Sequence, residues 1–75
     1  MDDINEKRFG YLRVLTEEEK IQMIKDLEED IAFEESIVNN KNASSEQISE
    51  AYADLSNDKS KRDYLVSILG EKHLY

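Results

Sequence analysis

The chain reads as an all-α domain: a long antiparallel helical hairpin plus a short C-terminal helix and an N-terminal arm or short helix. Three observations lead to that class. Apolar residues recur at helical spacing from Ile21 onward. Two Ser/Thr residues stand three positions before a Glu or Gln, Thr16 before Glu19 and Ser44 before Gln47, which is the pattern of a helix-starting capping box. The sequence has no proline, and its only glycines are Gly10 and Gly70, so little interrupts a helix between them.

The elements follow in order within one domain, residues 1–75. Residues 1–15 form an arm or short helix. Leu12 and Leu15 share a helical face there, while Gly10 weakens a helix by about 1 kcal/mol relative to alanine. Residues 17–38 form the long helix, capped by Thr16 and carrying Ile21, Ile24, Leu27, Ile31 and Val38 as one apolar stripe. It should stop in Asn39-Asn40-Lys41-Asn42, residues that compete for backbone hydrogen bonds and tolerate left-handed conformations. Residues 45–56 form the next helix, with Ile48, Ala51, Tyr52 and Leu55 on its apolar face. Asn57 or Asp58 then caps a last helix over 58–69, with Tyr64, Leu65, Ile68 and Leu69 inward and Gly70 as its C-terminal stop.

Charge narrows the function. Ten Lys and Arg against eighteen Asp and Glu give a net charge of −8. A nucleic-acid backbone or an anionic lipid surface requires the opposite sign, so neither is an expected partner. The charge is also concentrated. Residues 17–38 hold nine acids against Lys20 and Lys25, while the segments before and after are close to neutral. The start of the chain is acidic where a signal peptide would be basic, and no apolar run approaches the ~20 residues that span a bilayer. A cytoplasmic protein is the expectation.

Catalysis has little raw material. There is no cysteine, the single histidine is His73, and no Gly-rich loop is available to cradle phosphate. No enzyme activity and no cofactor are expected. Asp26, Asp30 and Glu34 meet at four-residue spacing and could gather a divalent ion. The Glu-x-x-His pairs of di-iron bundles and the glycine-containing loop of a calcium hand are both missing, so a solvated acidic face is the preferred reading. The basic cluster Lys59, Lys61 and Arg62 reads as a solvated turn, or as the counter-charge to the acidic helix.

The sharper feature is Phe33 and Ile37, helical neighbours that fall off the apolar stripe among acids. Either the N-terminal arm (Phe9, Tyr11, Val14) covers them, or they anchor a partner or a second copy of the chain. On the second reading the binding face comprises Asp26, Glu28, Asp30, Phe33, Glu34, Glu35 and Ile37, and the partner is a protein with a basic surface. The function expected is a small protein-binding module of inhibitor, regulator or adaptor type.

Ile48, Ala51-Tyr52, Leu55-Ser56-Asn57, Lys61-Arg62 and Tyr64 resemble the third-helix end of J-domains, the co-chaperones of the ATP-driven heat-shock chaperone. Tyr11-Leu12, Val14 and Leu15 are similar to that family's opening segment. The resemblance implies a J-like helical hairpin. Members stimulate the chaperone's ATPase through a His-Pro-Asp tripeptide after a basic second helix. Here the corresponding loop has neither histidine nor proline and the helix before it is acidic, so the resemblance implies a structural or adaptor module without that activity.

Overall fold

The computed structural model describes residues 3–71, all of whose regular structure is helical. His73 and Tyr75 lie outside the described residues. Helix α1 spans Asp3–Phe9 and runs into a 3₁₀ helix, Gly10–Val14. Helix α2 spans Glu17–Val38 and α3 spans Ser45–Glu71. The arm or short helix expected at the N-terminus is thus two short helical pieces.

Both capping boxes form. The Glu19 amide donates to Thr16 Oγ1 at 3.1 Å, and the Thr16 amide to Glu19 Oε1 at 2.8 Å. The pair Ser44 and Gln47 repeats this at 3.1 and 2.9 Å. Each box satisfies two amides that a helix start leaves orphaned. Between them the chain reverses without left-handed residues. The Asn39 amide closes the last turn of α2 on the Glu35 carbonyl, and Asn40 Oδ1 accepts from the Asn42 amide at 2.9 Å. The asparagines therefore act through their side chains, and their tolerance of positive φ goes unused.

The break expected near Asn57 is absent, and the helices expected over 45–56 and 58–69 are one helix. The side chains that would have capped a new helix are engaged across the structure instead. Asn57 Oδ1 accepts from the Arg8 guanidinium, and Asp58 faces Glu34 on α2. Without a free cap, two residues of only modestly poor propensity do not stop a helix. Gly70, expected as the stop, lies inside α3 with a φ that is not positive.

Helices α2 and α3 pack antiparallel: Leu27 shares a core with Leu65, Glu34 meets Asp58, and Ile37 shares a cleft with Ala51 and Gln47. The main core sits at the end far from the loop, where Phe9 and Leu12 close over Leu27, Tyr64, Leu65 and Ile68. Leu15, Met23 and Ile24 pack around it. The Tyr64 hydroxyl donates to Glu6 at 3.1 Å, and Arg13 donates to the same carboxylate, lowering its pKa below the ordinary value. The N-terminal piece is thereby tied to α3.

Two face assignments need correction. The buried line on α2 runs through Lys20, Leu27 and Ile31, and Ile21 stands 44% exposed outside it. On α3, Ala51 and Leu55 are buried but Tyr52 is 57% exposed. In both cases the contact stripe is narrower than the apolar stripe, as it is when a helix has one packing neighbour rather than two.

Leu65 has no solvent exposure. Replacing it with alanine should cost about 2–5 kcal/mol, which urea or thermal melts followed by circular dichroism would read. Val66→Ala, one position on and 52% exposed, should change the stability read from the same melts by less than about 0.5 kcal/mol.

Candidate functional site

The interface between α2 and α3 changes character along its length. On α2 the inward positions after Leu27 and Ile31 are Glu34 and then Val38. On α3 the positions between Leu55 and Leu65 include Asp58. Two acids therefore face each other inside a seam that is apolar on either side. Toward the loop, small residues replace large ones. Ala43 and Ala51 leave a cleft of 260 Å³ bounded by Phe33, Glu34 and Ile37 from α2, Asn40 from the loop, and Gln47, Glu50 and Asp54 from α3.

Glu34 is the unusual group. Its Oε1 is shut off from solvent, and no donor reaches it among the described residues. Its closest polar neighbour across the seam is another carboxylate, Asp58. Two carboxylates are both acceptors, so they can bond only if one carries a proton. Burial first, then that shared bond, then the negative charges of Asp58, Asp54 and Asp30, push the Glu34 pKa up to about 7. Near neutral pH Glu34 is thus about half protonated, where an ordinary carboxyl would have released its proton.

The expected binding residues divide. Phe33, Glu34 and Ile37 come together at the cleft, Phe33 exposed at 66% and Ile37 half-buried. Asp30 lies close enough to Glu34 to act on its charge. Glu35 is exposed and takes Lys59 of α3 at 3.4 Å, so the basic cluster does serve in part as counter-charge. Asp26 is exposed and accepts from Gln22 at 3.1 Å, while Glu28 is exposed; neither lines the cleft. The N-terminal segment does not cover Phe33. Phe9 is buried in the core at the other end of the hairpin, and Tyr11 and Val14 are 61% and 86% exposed.

The reading by charge missed the α3 side of the cleft. Glu46, Glu50, Asp54 and Asp58 recur every four residues, which places them along one side of α3. Counted by segment they vanish against Lys59, Lys61 and Arg62, and spacing is the signal that finds them. Among the described residues, no group of three or more His, Cys, Asp or Glu is arranged to hold a metal ion. No helix among them is long and apolar enough to cross a membrane.

A carboxyl whose pKa rises on folding favours the folded state only while it holds its proton. The folded Glu34 keeps the proton up to about pH 7, whereas the unfolded side chain loses it near 4.5. Stability from this group is therefore fully present below 4.5 and is lost as pH rises through about 7. The Glu6 contribution has the opposite sign and is lost only below its ordinary value of 4.5. Raising the pH from about 5.5 to about 8 should lower the melting temperature of the wild type, and Glu34→Gln should remove most of that drop. An unchanged slope in Glu34→Gln would show that the seam holds no such proton. No protein-family model, curated protein or solved structure matches this chain.

Proposed function

We propose that the chain is a small cytoplasmic protein-binding module of inhibitor, regulator or adaptor type, non-catalytic, which engages a protein partner through the loop end of its hairpin. One observation carries this reading: Phe33 stands exposed beside a cleft whose charged lining is acidic, and none of the described residues covers it. An exposed aromatic next to a pocket, ringed by charge, is the usual makeup of an interface anchor. The exposed acids of α2, including Asp26, Glu28, Asp30 and Glu35, would accelerate encounter with a basic surface without adding much to the bound state.

The test separates anchor from steering. A partner captured by the wild-type chain from its source cell should lose about tenfold or more in affinity for Phe33→Ala. Glu28→Lys with Glu35→Lys should instead slow association at low salt and leave dissociation nearly unchanged. Sedimentation of the pure protein distinguishes a second copy as the partner. Binding that is indifferent to Phe33→Ala would remove the anchor from this reading.

A second reading is favoured by the antiparallel pairing of α2 and α3: a J-domain-like adaptor without ATPase-stimulating activity. On this reading, micromolar protein leaves the heat-shock chaperone's ATP hydrolysis unchanged. Acceleration would contradict the loss of activity that the acidic helix and the loop imply.

A further inference from the structure

The cleft at the loop end has properties that together specify what it holds. About half of its lining is apolar, from Ile37, Ala43 and Ala51 with Phe33 at the edge, whereas Glu34, Glu50 and Asp54 supply negative charge and no lining residue is basic. Its 260 Å³ falls below the ~300–1,000 Å³ of pockets that enclose a drug-sized ligand, which makes it a receptacle for a side chain. Glu34 belongs to the lining, and its Oε1 accepts from no donor among the described residues. An aliphatic stem ending in a cation complements all of this. Arginine complements it better than lysine, because a planar fork of five donors can bridge two carboxylates and stack against an aromatic ring.

We propose that the cleft receives one arginine side chain of the partner protein, with its stem along Ile37 and Ala51 and its guanidinium shared between Glu34 and Asp54. This rests on the reading of the chain as a protein-binding module and adds the chemistry of the partner's anchor. It also couples binding to proton release. The groups facing Glu34 are Asp30 on its own helix and Asp54 and Asp58 on α3. Lys59, next to Asp58, is directed to Glu35, and the N-terminal pieces pack at the opposite end. In the free hairpin below about pH 7, Glu34 keeps its proton. An entering guanidinium brings one positive charge, Glu34 gives up its proton to the buffer, and the net charge of the site is conserved. Affinity then follows the deprotonated fraction of Glu34 and rises about tenfold between about pH 6 and about pH 8.

The experiment titrates isotope-labelled protein with N-acetylarginine amide and follows backbone amide shifts. Saturating shifts at Glu34, Ala51 and Asp54, with a dissociation constant on the order of 1 mM that tightens about tenfold across that pH range, are expected. N-acetylnorleucine amide, which has the stem without the cation, should not reproduce them. Glu34→Gln should abolish the pH dependence, and Asp54→Asn should weaken binding at both pH values, each in protein verified as folded by its amide spectrum. Shifts that do not saturate, that norleucine amide matches, or that are the same at both pH values overturn the proposal. The two readings fail separately. A partner that depends on Phe33 while the probe does not bind removes the arginine and leaves the module. A probe that binds while no partner depends on Phe33 does the reverse.

Discussion

A hairpin of two helices has one seam, and everything apolar that the chain can remove from water must go into it or be brought to it. At the end far from the loop the N-terminal residues solve this by adding Phe9 and Leu12 as a lid on Leu27, Tyr64, Leu65 and Ile68. Burial of this kind, at roughly 25 cal/mol per Å² of apolar surface, is what holds a small domain against its conformational entropy. The polar tie of Tyr64 and Arg13 to Glu6 orients the lid, but the driving force lies beneath it. Among the described residues, nothing comparable closes the loop end.

That asymmetry explains where the unusual chemistry sits. An acidic pair in the middle of a seam is costly, because each carboxylate gives up hydration and neither can donate to the other. Replacing such buried polar pairs with apolar residues commonly stabilises a fold. Here the cost falls beside the part of the seam that is already least filled, where Ala43 and Ala51 leave space. The stable end and the chemically poised end are thus separated along the same two helices. A poised group can then exist without undermining the core.

Much of the fold was legible in the residues. The start of α2 and of α3 followed from Thr16 with Glu19 and Ser44 with Gln47, because capping is local and depends on a few neighbouring atoms. The continuity of α3 was not legible, since it depends on Arg8 and Glu34 occupying side chains that would otherwise have capped a new turn. The candidate site was half legible. Phe33 and Ile37 stood out as apolar residues off the stripe, but the stripe itself skipped from Ile31 to Val38, and the residue in the gap was Glu34. A missing member in an apolar repeat marks an inward position, so the charge found there is the one most strongly perturbed. Its partner on α3 could be identified only once the register of the two helices was known.

The unbroken α3 has a mechanical consequence. At 27 residues it is a rod of about 40 Å, with Tyr64 and Leu65 seated in the core and Glu50 and Asp54 at the cleft. Helices resist bending far more than loops do, so a displacement at one end of such a rod is transmitted as tilt and not absorbed midway. Ala51 and Leu55 are buried on the same rod as Leu65, so core and cleft are held in one fixed register by a single continuous helix.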